Sequence, residues 1–268
     1  METIPSRRTG LPGYPWKIFW LLLIGSLVGV AAVLPYLFGL FGKIIAARPL
    51  PMPLPVLIVI QFMENALLFA AIISLGLLLA RKVGIELPLL QRWLYADKSE
   101  LPRGALRIPI SSGVVIGVMI LLAFYTVFAP RIPDWPVGAE AALPIWKRFL
   151  ACFYGGIDEE LLARLFALSL ILWLTRMIGR ERSLRSSTLA FWIANVIVSF
   201  LFSLGHVPAA KLFMQVTPLV ITAIFCTNGA ASLLFGYLCW KRGLEAAMLA
   251  HFSADVMLHV IGPMFVRV

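Results

Sequence analysis

The sequence predicts an all-α fold, a polytopic membrane helical bundle with about seven transmembrane helices. Three observations predict it. Hydrophobic residues make up 61% of the 268 and charged residues only 13%, with a mean hydropathy of +0.93, more apolar side chain than one soluble core encloses. The apolar stretches are continuous rather than alternating, which is the pattern of helices, and each approaches or exceeds the roughly 20 residues that cross about 30 Å of hydrocarbon. Proline and charge punctuate the gaps between them, as in "RPLPMPLP" and "APRIPDWPVG".

Taken in chain order, the first predicted span covers 16–42 and is too long for the apolar core of a signal peptide. The second, 54–80, carries Gln61, Glu64 and Asn65 at i, i+3 and i+4, one face of the helix, where hydrogen bonding to a neighbouring helix is expected ahead of substrate contact. The third is 108–129. The fourth, 149–176, lies within an unbroken helical pattern from Ile145 to Ile178, roughly 51 Å at 1.5 Å per residue, so it must protrude or bend, and Gly155-Gly156 is the place for a bend. A helix beginning after Gly156 would put Asp158, Glu159 and Glu160 in its first turn, where acids suit the dipole and meet interfacial water. The remaining spans are 186–206, 216–240 and 244–265. No stretch reads as a soluble domain, so residues 1–268 are expected to form a single transmembrane domain.

The formal charge of +10 does not point to nucleic acid once its placement is read. Of the 23 Lys and Arg, fifteen fall in one alternating set of segments between spans and seven in the other, an asymmetry that puts the N-terminus in the cytoplasm and, after seven spans, the C-terminus outside. The remaining one, Arg164, stands deep in the fourth span. A charge there costs at least about 2.5–3.5 kcal/mol unless partnered. Glu160, four residues earlier on the same face and in the favourable order, is the expected partner, which leaves Glu159 without a local one.

Two further spans bring histidine. His206 ends the fifth in "FLFSLGH", and His251 lies in the seventh with Asp255 four residues on, where the carboxylate is placed to accept a ring N–H and fix the tautomer. His259 continues that stripe near the helix end, with no role assigned.

The ordered set Glu159-Glu160-x-x-x-Arg164, Phe202-x-x-x-His206 and His251-x-x-x-Asp255 resembles the CPBP family, also called Abi, which includes CAAX proteases and bacteriocin-immunity proteins. The resemblance covers roughly 145–265. It divides the domain into 1–142, three spans without family motifs, and 143–265, a motif-bearing catalytic core. It implies an intramembrane endopeptidase with a cavity inside the membrane and a membrane-associated peptide or protein as substrate. Glu159 with His206 would activate water, and His251 with Asp255 would stabilise the oxyanion. Glu160 and Arg164 would be structural. CAAX-type members commonly have Asn where this chain has Asp255, and an ionised aspartate cannot donate to an oxyanion.

Alternatives follow from the same residues. A Glu, two His and an Asp also satisfy a zinc ligand list, so a zinc-dependent protease is the second mechanism, although no H-E-x-x-H motif is present. Apart from zinc no cofactor is implied. A transporter also places Glu, Arg and His at mid-membrane, and a bacteriocin-immunity protein that acts by binding alone is a further alternative, but no inverted repeat of broken helices is evident. Cys152, Cys226 and Cys239 lie in apolar runs without C-x-x-C and are expected to be reduced and buried.

Overall fold

The computed structural model describes residues 13–47, 50–95, 104–132, 137–179 and 187–265. Several basic residues behind the orientation argument, among them Arg7, Arg8, Lys98, Arg180 and Arg182, lie outside them. Among the described residues, seven helices are long and apolar enough to cross a membrane: Trp16–Gly42, Leu54–Val83, Arg107–Arg131, Ile145–Ile178, Thr188–Ala210, Pro218–Arg242 and Leu244–Phe265. The protein is an all-α, multi-pass membrane bundle. Its outer face is apolar, with Leu67, Ile178 and Leu189 largely exposed, the inverse of a soluble surface and the pattern lipid requires.

Local chemistry sets where spans begin and end. Ser187 caps the fifth by accepting from the Ala190 N–H, and Thr217 caps the sixth through Val220 N–H, with Pro218 in the first turn where its missing N–H costs nothing. Lys241 and Arg242 close the sixth at its negative dipole end. The seventh starts two residues later, and Glu245 in its first turn accepts from the Leu90 N–H at 3.0 Å, tying it to the short helix Pro88–Tyr95.

The third span packs along the seventh, the first along the start of the fourth, the second along the middle of the fourth, and the fifth along the sixth. Gly113 and Gly117, four apart, let the third span approach the seventh closely: a Cβ on Gly113 would run into the Ala250 carbonyl and one on Gly117 would sit 2.7 Å from Met257 Cβ. That G-x-x-x-G spacing is a membrane packing signal in the sequence.

The fourth span departs most from expectation. It neither breaks nor restarts at Gly155-Gly156. A regular helix over Ile145–Phe153 passes into wide π-helical turns at Tyr154–Glu159 and Leu161–Leu168 before resuming regular geometry at Ser169. The acidic triplet is therefore mid-helix, and Asp158 and Glu160 are fully buried rather than sitting in a wet first turn. Arg164 is also not the one buried base of this span, because Arg148 is buried and donates to the carbonyls of His259 and Val260 at 3.3 and 3.4 Å.

Two smaller expectations are corrected. Gln61 and Glu64 are exposed, and Asn65 donates to the Gln61 carbonyl of its own helix at 2.7 Å rather than to a neighbouring span. Cys152 and Cys239 are buried as expected, but Cys226 is exposed.

Candidate active site

The π-turns of the fourth span aim its acids at different neighbours. Asp158 turns toward the first span, where the Ser26 hydroxyl donates to Oδ1, and its Oδ2 fills the space that a side chain on Gly29 would need. Glu160 turns inward. Its Oε1 accepts from Arg164 Nη1 at 2.7 Å and from His251 Nδ1 at 2.7 Å. Arg164 Nη2 in turn donates to the Ser232 hydroxyl at 2.6 Å and the Ser232 carbonyl at 2.9 Å, and the guanidinium lies over the rings of Phe202 and Phe235. A buried cation thus has a carboxylate, a hydroxyl, a carbonyl and two aromatic faces, the set of partners that makes its burial tolerable.

His251 is held from behind by this arrangement. Because an ionised carboxylate only accepts, the bond to Glu160 makes Nδ1 the donor, and Phe235 stacks on the ring at 4.7 Å between centroids. The tautomer-fixing partner is therefore Glu160, not Asp255. Nε2 faces forward, 3.6 Å from Asp255 Oδ1 and 3.7 Å from Glu159 Oε2. Both separations exceed a direct hydrogen bond but are within ion-pair distance, so the two carboxylates face this nitrogen directly. Glu159, the acid with no local partner in sequence, finds this one across the bundle, with 27% of its side chain exposed.

Glycine makes room for the front of the site. A Cβ on Gly155 would strike Asp255 Oδ2 and lie 3.3 Å from His251 Nε2. His206 is half-buried, and its Nδ1 donates to the Phe202 carbonyl at 2.8 Å, which leaves Nε2 as the free nitrogen. It touches none of the other candidates directly. The Phe202 ring stands between the two imidazoles, 4.8 Å from His206 and 5.9 Å from His251.

A cavity of about 180 Å³ opens beside His251 and Asp255, roomy enough for several waters. Glu159 and His206 lie outside its lining. Among the described residues, no group of three or more His, Cys, Asp and Glu is placed to hold a metal ion.

The family described as type II CAAX prenyl endopeptidase Rce1-like matches residues 141–257, which contain all seven residues of the three motifs. The match covers less than half of the 268 residues. No curated protein and no solved structure matches the chain. The Rce1-like segment starts with the fourth span and stops inside the seventh, so it includes Ser232 and Phe235, which sequence reading missed. No motif marks either, since both act through their place on the sixth span facing Arg164 and His251. Just outside the Rce1-like segment, Glu140 and His259 also line the cavity, and His259, left without a role by the sequence, donates to Glu140 Oε1 at 2.6 Å.

Proposed function

We propose that this protein is an intramembrane endopeptidase of the CAAX-protease type, in which a glutamate-activated water hydrolyses a peptide bond of a membrane-associated substrate. The observation that carries the reading is His251, fixed by Glu160 at 2.7 Å while its other nitrogen stands within 3.7 Å of both Glu159 and Asp255 beside a partly open cavity.

Glu159 takes a proton from water as the oxygen attacks the scissile carbonyl. The free Nε2 of His206 assists, because its Nδ1 proton is committed to the Phe202 carbonyl. The carbonyl oxygen becomes an oxyanion facing Nε2 of His251. That nitrogen donates in the imidazolium form, and Asp255 in contact with it balances the imidazolium charge. The tetrahedral carbon then expels the amine, which leaves with the proton Glu159 returns to it. Glu160 and Arg164 touch no reacting atom in this scheme and position His251. No step is routed through a metal.

We also place the N-terminus in the cytoplasm, on the fifteen-to-seven distribution of basic residues, and treat 143–265 as the catalytic core that 1–142 supports. The test is cleavage of membrane-anchored reporter peptides by the purified protein. Glu159→Gln, which removes the base with little change of shape, lowers the rate at least about 10²-fold. Full activity in this variant, or no cleavage of any reporter by the wild type, overturns the proposal.

A further inference from the structure

The cavity beside His251 has a second end. There Glu140 Oε1 accepts from the Tyr36 hydroxyl at 2.9 Å and from His259 Nδ1 at 2.6 Å, with the Tyr36 and His259 rings edge to face. Both donors are spent on Oε1, so Oε2 is free, and 17% of the Glu140 side chain is exposed. Toward the catalytic end, Asp255 is 93% buried, accepts no hydrogen bond from any described residue and lines the same space. On the facing wall Asn228 spends its amide N–H on the Ile224 carbonyl, leaving its Oδ1 as an acceptor.

The charge count is one-sided. The titratable groups lining the cavity, besides Tyr125, are Glu140, Asp255, His251 and His259, with no Lys or Arg among them. With the carboxylates ionised, the lining totals minus two if both imidazoles are neutral and zero if both are protonated. It is never positive. The nearest buried cation, Arg148, is not part of the lining and donates to the backbone carbonyls of His259 and Val260.

We infer that the Glu140–His259 end of the cavity is a subsite for a basic group of the substrate, a lysine or arginine side chain, and that it disfavours a free C-terminal carboxylate. This rests on the protease reading and deepens it. His259 follows His251 by eight residues, about 12 Å along a helix, and about three residues of extended peptide span ~10 Å. The subsite therefore reads a residue about three positions from the scissile bond. Glu140 supplies the carboxylate, and Tyr36 and His259 fix its direction. Both Glu140 and His259 fall outside the family-matched residues 141–257, which makes this a feature of the chain and not of its motifs.

The test separates binding from cleavage by using the full-length Glu159→Gln protein in detergent. Fluorescent tetra-alanine amides with one alanine replaced by Lys, norleucine or Glu, and the Lys peptide with a free carboxylate, are titrated by anisotropy. The Lys amide is expected to bind at least about tenfold tighter than the norleucine and Glu peptides, the scale of a charge-assisted contact, and tighter than its free-carboxylate form. Adding Glu140→Gln, which keeps acceptors for Tyr36 and His259, should bring Lys and norleucine within about twofold. Should that variant not fold, Glu140→Asp replaces it, which draws the carboxylate back by one methylene and should narrow the Lys preference. Equal binding of Lys and norleucine, a preference unmoved by the substitution, or no binding of any peptide overturns the subsite. An intact Lys preference in a protein whose wild type cleaves nothing supports the subsite and overturns the protease reading instead.

Discussion

At the scale of single residues, the site divides into groups that hold and groups that face the cavity, and substitutions should separate them. Arg164 is fully buried between Glu160, Ser232 and two rings, so Arg164→Ala leaves the Glu160 carboxylate buried without its cation. We expect a loss of about 3–5 kcal/mol, read as lower thermal melting in detergent. Unchanged melting would contradict the structural role. Asp255→Asn should behave oppositely. The imidazole is oriented by Glu160 and not by Asp255, and Asn supplies an N–H donor to the oxyanion, so activity in the reporter assay should largely survive with the ring unmoved. Loss of activity together with bound metal would point to the zinc mechanism. The Glu160–Arg164 pair was legible because both residues stand on one helix at a known spacing. The Glu160–His251 bond was not, because it joins positions 91 apart, and nothing in one sequence decides whether His251 turns to the carboxylate on its own helix or to one across the bundle.

At the scale of elements, span number and order were legible from hydropathy alone, since a membrane helix must be long and apolar whatever it packs against. The π-turns were not. Regular and wide turns share composition, and the glycine pair that reads as a bend instead admits a neighbouring carboxylate. Gly155→Ala therefore places a methyl group where Asp255 Oδ2 and His251 Nε2 now meet. We expect a fall in turnover of about 10²-fold or more, with melting affected far less than by Arg164→Ala. Gly113→Val tests a different contact. It pushes the third span off the seventh at Ala250, next to His251, and should lower both melting and activity.

At the scale of the whole molecule, the question is which face of the bilayer reaches the site. Cysteines introduced at Ile157 and Val207, both half-buried and next to Glu159 and His206 in their spans, should be labelled by a membrane-impermeant maleimide from one side only in sealed vesicles. The proposed orientation makes that the outer side. Labelling from the cytoplasmic side would reverse the topology, and labelling from neither would contradict a water-accessible site.

The contact of Asp158 with Ser26 and Gly29 bears on how freely the two halves of this chain can be exchanged. All three motifs lie after residue 142, which makes the second half look portable. Yet the turn carrying Glu159 and Glu160 rests, through Asp158, on a hydroxyl and a bare Cα of the first span. A chimera that grafts the motif half onto a foreign N-terminal half would inherit every motif and lose that seat. Restoring serine and glycine at the positions of 26 and 29 should recover more of its activity than any change within the motifs.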